Sequence, residues 1–405
     1  MTRNARHVLP WVFVVIALLV AWRIVQVART EGAAGSAPQR FMWQAEVPGP
    51  TACERERARM QALEVLSDEP LRGDAFATLA RVAVDGGDPD ALQAQQRAMR
   101  RAPRDPHARA WLIDHHLAAG EFPQAFEHVD AWLRLTPRFG PSLFPALAGL
   151  TATPAFADAL ATHLETRPGW RGGFMNALRR HADPAPMDRV YAALHRQAGL
   201  DDGEFQWWLE RMMREGRWNE AYARWAGTLD LSQQRLPAVY NGGFDTVPDG
   251  RGFDWRVARV SGVGLDFVRE PKGDSRMAHA RFFGRAVPQL GLEQPLLLAP
   301  GRHALSARMR TQGLRSSHAL EWVVVCAGQS RALATLPLPS GTSDWRTDEV
   351  VFDVPAGHCP GLWLRIRNPA PAAGAQVVSG EAWLDDVAIR ALPGTPPPDD
   401  QGRSE

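Results

Sequence analysis

Lysine is almost absent from this chain: of its 46 basic residues, only Lys272 is a lysine. With 45 acidic residues against them the formal net charge is +1. That balance gives no general case for nucleic-acid binding, which shows as a basic patch or stripe. The arginine excess reads as an Arg- and Ala-favouring composition rather than an arginine-specific function. Cysteine is scarce too. Cys53, Cys326 and Cys359 form no C-x-x-C and no Cys/His cluster, which argues against a zinc site. G-x-S-x-G, H-E-x-x-H and a phosphate-binding loop are all missing. His115 and His116 are neighbours on a helical stretch and do not readily share a metal. Asp385 and Asp386 are neighbours on a strand and point to opposite faces, a poor acid–base pair. No catalytic residue and no enzyme activity are expected.

What is present begins with an apolar N-terminus. Residues 8–22 read VLPWVFVVIALLVAW without a charge. Extended to residue 28, the run would span about 31 Å as a helix, enough for a hydrocarbon core of ~30 Å. Trp11 and Trp22 sit where an aromatic belt would place them, and Arg23 would snorkel near one end. The expectation is a single-pass anchor at 8–28, residues 1–7 in the cytoplasm, and a flexible Gly/Ala/Pro/Gln spacer at 29–52. A cleaved signal peptide is the alternative, with small residues after Thr30, although Arg23, Gln26 and Arg29 separate the run from them. Arg3 and Arg6 before the span and Arg23 and Arg29 after it barely decide orientation. The expected location is a bacterial inner membrane with the bulk of the chain in the periplasm, mainly from the character of the second half.

Residues 53–235 read as helical, with an internal repeat. GGDPDALQAQQRAMRRAP (86–103) and GEFPQAFEHVDAWLRLTP (120–137) align Gly86 with Gly120, Ala91 with Ala125 and Pro103 with Pro137, each offset by 34 residues. Gly216 and Ala221 repeat the five-residue spacing. Glycine lets a helix end and turn, a small alanine lets two helices approach, and proline stops the second helix. Residues 138–203 keep helical composition but lose the register and read as degenerate helical pairs. In FQWWLERMM (205–213) the adjacent Trp207 and Trp208 cannot both face one core, so one of them is a candidate partner contact. The pattern resembles the tetratricopeptide repeat, whose turn often reads Gly-x-aromatic-x-x-Ala, with Phe122 and Trp218 as the aromatics. The resemblance implies an α-solenoid whose concave face takes a protein partner.

At NGGFDTVPDGRGFDW (241–255) the periodicity changes from helical to strand-like. Residues 303–311, 349–355 and 362–368 alternate apolar and polar; 320–327 is a buried-strand candidate and 381–390 a final strand. An independent all-β sandwich is expected at 236–393, followed by a disordered tail at 394–405. Cys326 and Cys359 lie in it, either as a disulfide suited to an oxidising compartment or as two buried thiols. The order of features resembles jelly-roll domains of the carbohydrate-binding-module type: Asn241–Asp245 and Trp255, Pro300–Leu305, Trp345 with Phe352–Pro355, and Trp383–Val387. In that family the opening acidic residue and a closing Asp often bind a structural calcium, which implies Asp245 and Asp386 here; otherwise no cofactor is expected. Sugar binding needs exposed aromatic faces beside polar groups. Trp255, Trp322, Trp345, Trp363 and Trp383 supply them, and Trp363 and Trp322 with Arg365 and Arg367 are the candidate site, the two arginines sharing one face. The resemblances together imply a multidomain accessory protein: a membrane anchor, a helical arm for a protein partner, and a jelly roll facing envelope polysaccharide. A pure protein-interaction scaffold is the alternative, and a polysaccharide lyase or hydrolase a further one.

Overall fold

The computed structural model describes residues 50–229, 236–269, 275–357, 359–369 and 376–393. The expected anchor at 8–28, its flanks through residue 49 and the tail from 394 lie outside the described residues. Among the described residues no helix is long and apolar enough to cross a membrane. The described residues form two compact units, one up to Asp201 and one from Asp202.

Nine α-helices are described in the first unit: α1 (Ala52–Asp68), α2 (Gly73–Gly86), α3 (Ala91–Arg101), α4 (Pro106–Ala118), α5 (Phe122–Leu135), α6 (Gly140–Leu150), α7 (Pro154–Glu165), α8 (Arg171–His181) and α9 (Pro184–Arg196). Local sequence sets their ends. Thr51 and Glu54 form a reciprocal capping box on α1. Asp105 accepts from the N–H groups of His107 and Ala108, with Pro106 in the first turn of α4. In the first repeat the left-handed residue that closes the helix is Gly87 (φ 69°) rather than Gly86; in the later copies it is Gly120 and Gly216, at φ 74° and 79°. Helices α3 and α5 each end two residues before a proline, Pro103 and Pro137, where the missing N–H would break them.

Helix pairing follows the repeat only in part. Helix α2 packs on α3, and α4 on α5. Small side chains bring them close: Ala80, Ala98 and Ala108 form a buried cluster, and Ala125 is fully buried. From residue 140 the order changes, with α6 packing on α8 and α7 on α9. The middle is therefore not a run of sequence-adjacent pairs, as its helical composition suggested. Gly173 on α8 leaves space for the Phe144 ring of α6; a Cβ there would lie 2.7 Å from Phe144 Cε2. The buried Arg171 guanidinium donates to the carbonyls of Leu164 (2.7 Å) and Gly199 (2.8 Å), tying the end of α7 to the segment after α9.

The second unit contains α10 (Asp202–Arg214), α11 (Trp218–Ala226) and ten described strands. These are β1 (Arg256–Val257), β2 (Val263–Arg269), β3 (Arg276–Ala286), β4 (Gln289–Leu296), β5 (Gly301–Arg315), β6 (Glu321–Cys326), β7 (Ala332–Pro337), β8 (Gly341–Val354), β9 (Leu362–Arg367) and β10 (Val377–Ala391). They form two antiparallel five-stranded sheets, ordered β1-β4-β9-β6-β7 and β2-β3-β10-β5-β8. Alternate residues of both sheets fill one core, including Trp255, Trp322, Leu305, Met309, Leu364 and Leu384.

The NGGFD loop closes this sandwich. Gly242 accepts from the Val387 N–H at 2.9 Å, and a Cβ on Gly242 would sit 2.0 Å from the Val387 carbonyl oxygen. Only glycine permits that approach. Asn241 (φ 51°) turns the chain, donates to the Thr246 carbonyl (2.8 Å), and accepts from the Trp255 indole (2.9 Å) through its own carbonyl. Phe244 then enters the core against Trp255 and Phe267.

Helices α10 and α11 carry the third copy of the repeat pattern, yet they belong to the β unit. Trp218 is buried against Phe253 and Trp363, and Trp225 against Tyr240 and Phe253. Gly252 (φ 53°) and Gly361 have no side chain because an indole occupies that place: a Cβ would lie 1.9 Å from Trp225 and 2.0 Å from Trp218, respectively. Gln206 accepts from the Gly252 N–H at 2.8 Å, and Arg251 pairs with Asp202 at 2.5 Å.

Candidate functional site

The outer faces of the two sheets differ. On the first, register places Trp363, Arg365 and Arg367 beside Val325, Val323 and Glu321. Val323 and Val325 are buried although they point away from the sandwich core. Trp363 meets Trp218 edge-on at 5.9 Å, and the Arg256 guanidinium lies 4.8 Å from its ring centroid. Trp363 is therefore a packing contact of the helical pair and not an open sugar platform. Arg365 and Arg367 do share that face, and Arg367 is held by Glu321 at 2.6 Å. Trp322 is fully buried inside the sandwich, so the expectation that it meets a ligand is corrected. WVVVC is apolar on both sides, and alternation alone could not tell its inner face from its outer one.

The second sheet presents a different surface. Across β2, β3, β10 and β5, register aligns Asp266, His279, Trp383 and Arg310 in one row. Trp345 on β8 stands at the end of it, one step beyond the Met309–Arg346 pair. His279 stacks on Trp383 with centroids 4.6 Å apart and planes 5° from parallel. Arg310 lies 4.9 Å from the Trp383 centroid, and Arg308 lies 4.4 Å from that of Trp345. Carboxylates fill in between: Glu381 bonds His279 at 2.7 Å, Asp266 bonds Arg281 at 2.6 Å, and Asp385 bonds Arg308 at 3.1 Å. Phe283, 60% exposed, lies across Gly264, with its Cζ 3.2 Å from where a Cβ would be. The result is a half-exposed face of aromatic rings interleaved with hydrogen-bonding groups. Such a surface can contact a saccharide by stacking and by reading hydroxyls.

Asp385 is nearly buried on this face, and burial pushes its carboxyl up to about 6; Asp386 and Asp245 push in the same direction, while Arg308 and the Asp386 N–H pull back. Asp245 and Asp386 do converge. Their carboxylate oxygens would lie 3.3 and 3.8 Å from a Cβ on Gly243, so the bare glycine leaves a small cradle between them. Asp386 holds a positive φ of 47°, and Arg308 stands 3.9 Å from its other oxygen. Two carboxylates supply only part of the six to eight oxygens calcium takes, and no group of three or more His, Cys, Asp or Glu is set to hold a metal among the described residues.

Cys326 and Cys359 form a disulfide, Cα atoms 5.2 Å apart, and Cys53 is free and exposed. Trp208 is fully buried with Arg224 4.3 Å over its ring, so it is a packing residue rather than a partner contact. Trp207 is half-buried beside Arg211. The residues of the second-sheet face were not singled out as a site from sequence. The signal was there in HALSARMRT, where Arg308 and Arg310 alternate with Ala307 and Met309, but nothing local to it shows which sheet face stays open.

No protein-family model matches the chain, and no curated protein sequence matches it. Solved structures similar to its C-terminal part include a carbohydrate-binding module of family 4, 15% identical over 37% of this chain and 97% of that one, with a TM-score of 0.27. A carbohydrate-binding module of family 61 in complex with β-1,4-galactotriose is 14% identical over 39% and 100%, TM-score 0.27. A cyclase from Fischerella sp. TAU in complex with 4-(1H-indol-3-yl)butan-2-one is 17% identical over 40% and 100%, TM-score 0.28. The fold class is a helical array followed by a two-sheet, jelly-roll-like unit.

Proposed function

We propose that this protein is a non-catalytic binding protein of the bacterial envelope whose jelly-roll unit contacts polysaccharide. The observation that carries this is the second-sheet face: Trp383, Trp345 and Phe283 stand among His279, Glu381, Arg308 and Arg310, while Trp363 on the other sheet is taken by α11. Aromatic rings bordered by fixed donors and acceptors suit a saccharide, which offers both apolar C–H faces and hydroxyls. Glycan-array binding by the full chain tests it. Saturable binding to one polysaccharide class, reduced at least tenfold by Trp345→Ala and by Phe283→Ala, is the expected result. A folded protein that binds no glycan refutes sugar binding and leaves an interaction scaffold.

The tetratricopeptide-like array serves as an arm for a protein partner. Residues 8–28 anchor the chain in the inner membrane with residues 1–7 in the cytoplasm and the bulk of the chain in the periplasm, where the Cys326–Cys359 disulfide is at home. Asp245 and Asp386, with backbone carbonyls, would hold a structural calcium at the Gly243 cradle, linking the opening loop to β10. A rise in the unfolding temperature with calcium, absent in Asp245→Asn, is expected; no change in either protein refutes the ion.

A further inference from the structure

Three basic side chains in and beside the Trp383 row are each held by a carboxylate. Arg281 has Asp266, His279 has Glu381, and Arg308 has Asp385. Arg310 has no carboxylate partner among the described residues and lies against the Trp383 ring. It is half-buried in the middle of the row, between Trp383 and the position of Trp345. A cation–π contact with the indole uses none of the guanidinium's N–H donors. These in-plane donors stay free, in the fork that matches a carboxylate. The exposed Gln312, two residues on along the same face of β5, adds an amide beside it. A neutral sugar would leave this fork to water, whereas an acidic one would complete the pattern its three neighbours already show.

We infer that the ligand of this face is an anionic polysaccharide, with the carboxylate of a uronic acid residue held by Arg310 above Trp383. The inference rests on the sugar-binding role proposed for the jelly roll. It assigns Arg310 as the residue that sets ligand class, with the aromatic rings supplying contact area common to acidic and neutral sugars.

The experiment measures binding of the full chain by calorimetry to polygalacturonate, alginate and hyaluronate, to methyl-esterified polygalacturonate, to neutral galactan and xylan, and to polyglutamate as a carboxylate polymer without sugar. Arg310→Gln and Arg310→Lys are tested alongside, each checked for an unchanged unfolding temperature. The expected result is binding to at least one uronate polymer, weakened tenfold or more by Arg310→Gln and partly restored by Arg310→Lys. Esterification of a bound polygalacturonate should weaken it similarly. Equal binding of acidic and neutral polymers, unchanged in Arg310→Gln, overturns the inference and leaves sugar binding intact. Polyglutamate bound as tightly as the uronates overturns it as a saccharide site. Binding to none of the saccharides refutes the inference and sugar binding together.

Discussion

Asp114 offers a quantitative test of the helical unit. It lies on α4, and its Oδ1 is buried with no hydrogen-bond partner among the described residues. Burial raises its carboxyl from 3.8 to about 7. A raised carboxyl pKa means the folded state holds the proton more tightly than the unfolded one. The ionised form is therefore a cost, absent below pH ~4, growing between pH ~4 and ~7, and complete above. Roughly three units at about 1.36 kcal/mol each give a ceiling near 4 kcal/mol. Residual solvent contact reduces what is measured to about 2–4 kcal/mol. Asp114→Asn removes the charge and nearly keeps the shape. Its amide brings its own cost, but that cost does not vary with pH, so the difference between two pH values isolates ionisation. Urea unfolding followed by far-UV circular dichroism at pH 4 and pH 8 is the assay. The variant should gain about 2–4 kcal/mol relative to wild type at pH 8 compared with pH 4. A gain independent of pH, or none at either, would refute the link from burial to ionisation cost.

Three further outcomes are expected. Gly242→Ala forces a Cβ onto the Val387 carbonyl and should destabilise the β unit by about 2–4 kcal/mol in denaturant melts; an unchanged midpoint would show that the loop is not clamped. Trp218→Ala empties the contact with Trp363 and should cost about 3–5 kcal/mol, with faster amide exchange along β9; protection unchanged there would contradict the packing described. Reduction of the disulfide, or Cys326→Ser with Cys359→Ser, frees a loop spanning 33 positions and should cost about 4 kcal/mol by loop entropy, read as a lower urea midpoint.

The sequence made some features legible because their causes are local. The switch at Asn241 is visible since helices and strands impose periods of 3.6 and 2 on the same alphabet. Phe244, Trp255 and Phe352 were marked by the jelly-roll resemblance, and all three are core residues. What stayed hidden depends on distant partners. The Gly216–Ala221 spacing is the same turn chemistry as Gly120–Ala125, and nothing in it says that this helical pair joins the β unit; Gly252 and Gly361, which accept its two indoles, carry no signature of their own. Trp363 points out of the sandwich, and its neighbour in space came from 145 positions earlier (363 − 218). Arg310 looked like any strand arginine until register placed it beside Trp383. In the middle of the helical unit, the pairing of α6 with α8 and α7 with α9 escapes a search for fixed offsets.

The seat of α10 and α11 on the β unit has a consequence for how the chain is made. Trp218 and Trp225 leave the ribosome before any strand of the sandwich exists. Their pockets, at Gly252 and Gly361, are finished only when β9 has been synthesised and paired. Until then two large indoles remain in water on a helical pair too short to be stable alone. Contacts of such sequence separation close slowly. The second unit should therefore fold after its synthesis rather than during it, passing through a sticky stage in which these helices need a chaperone's cover.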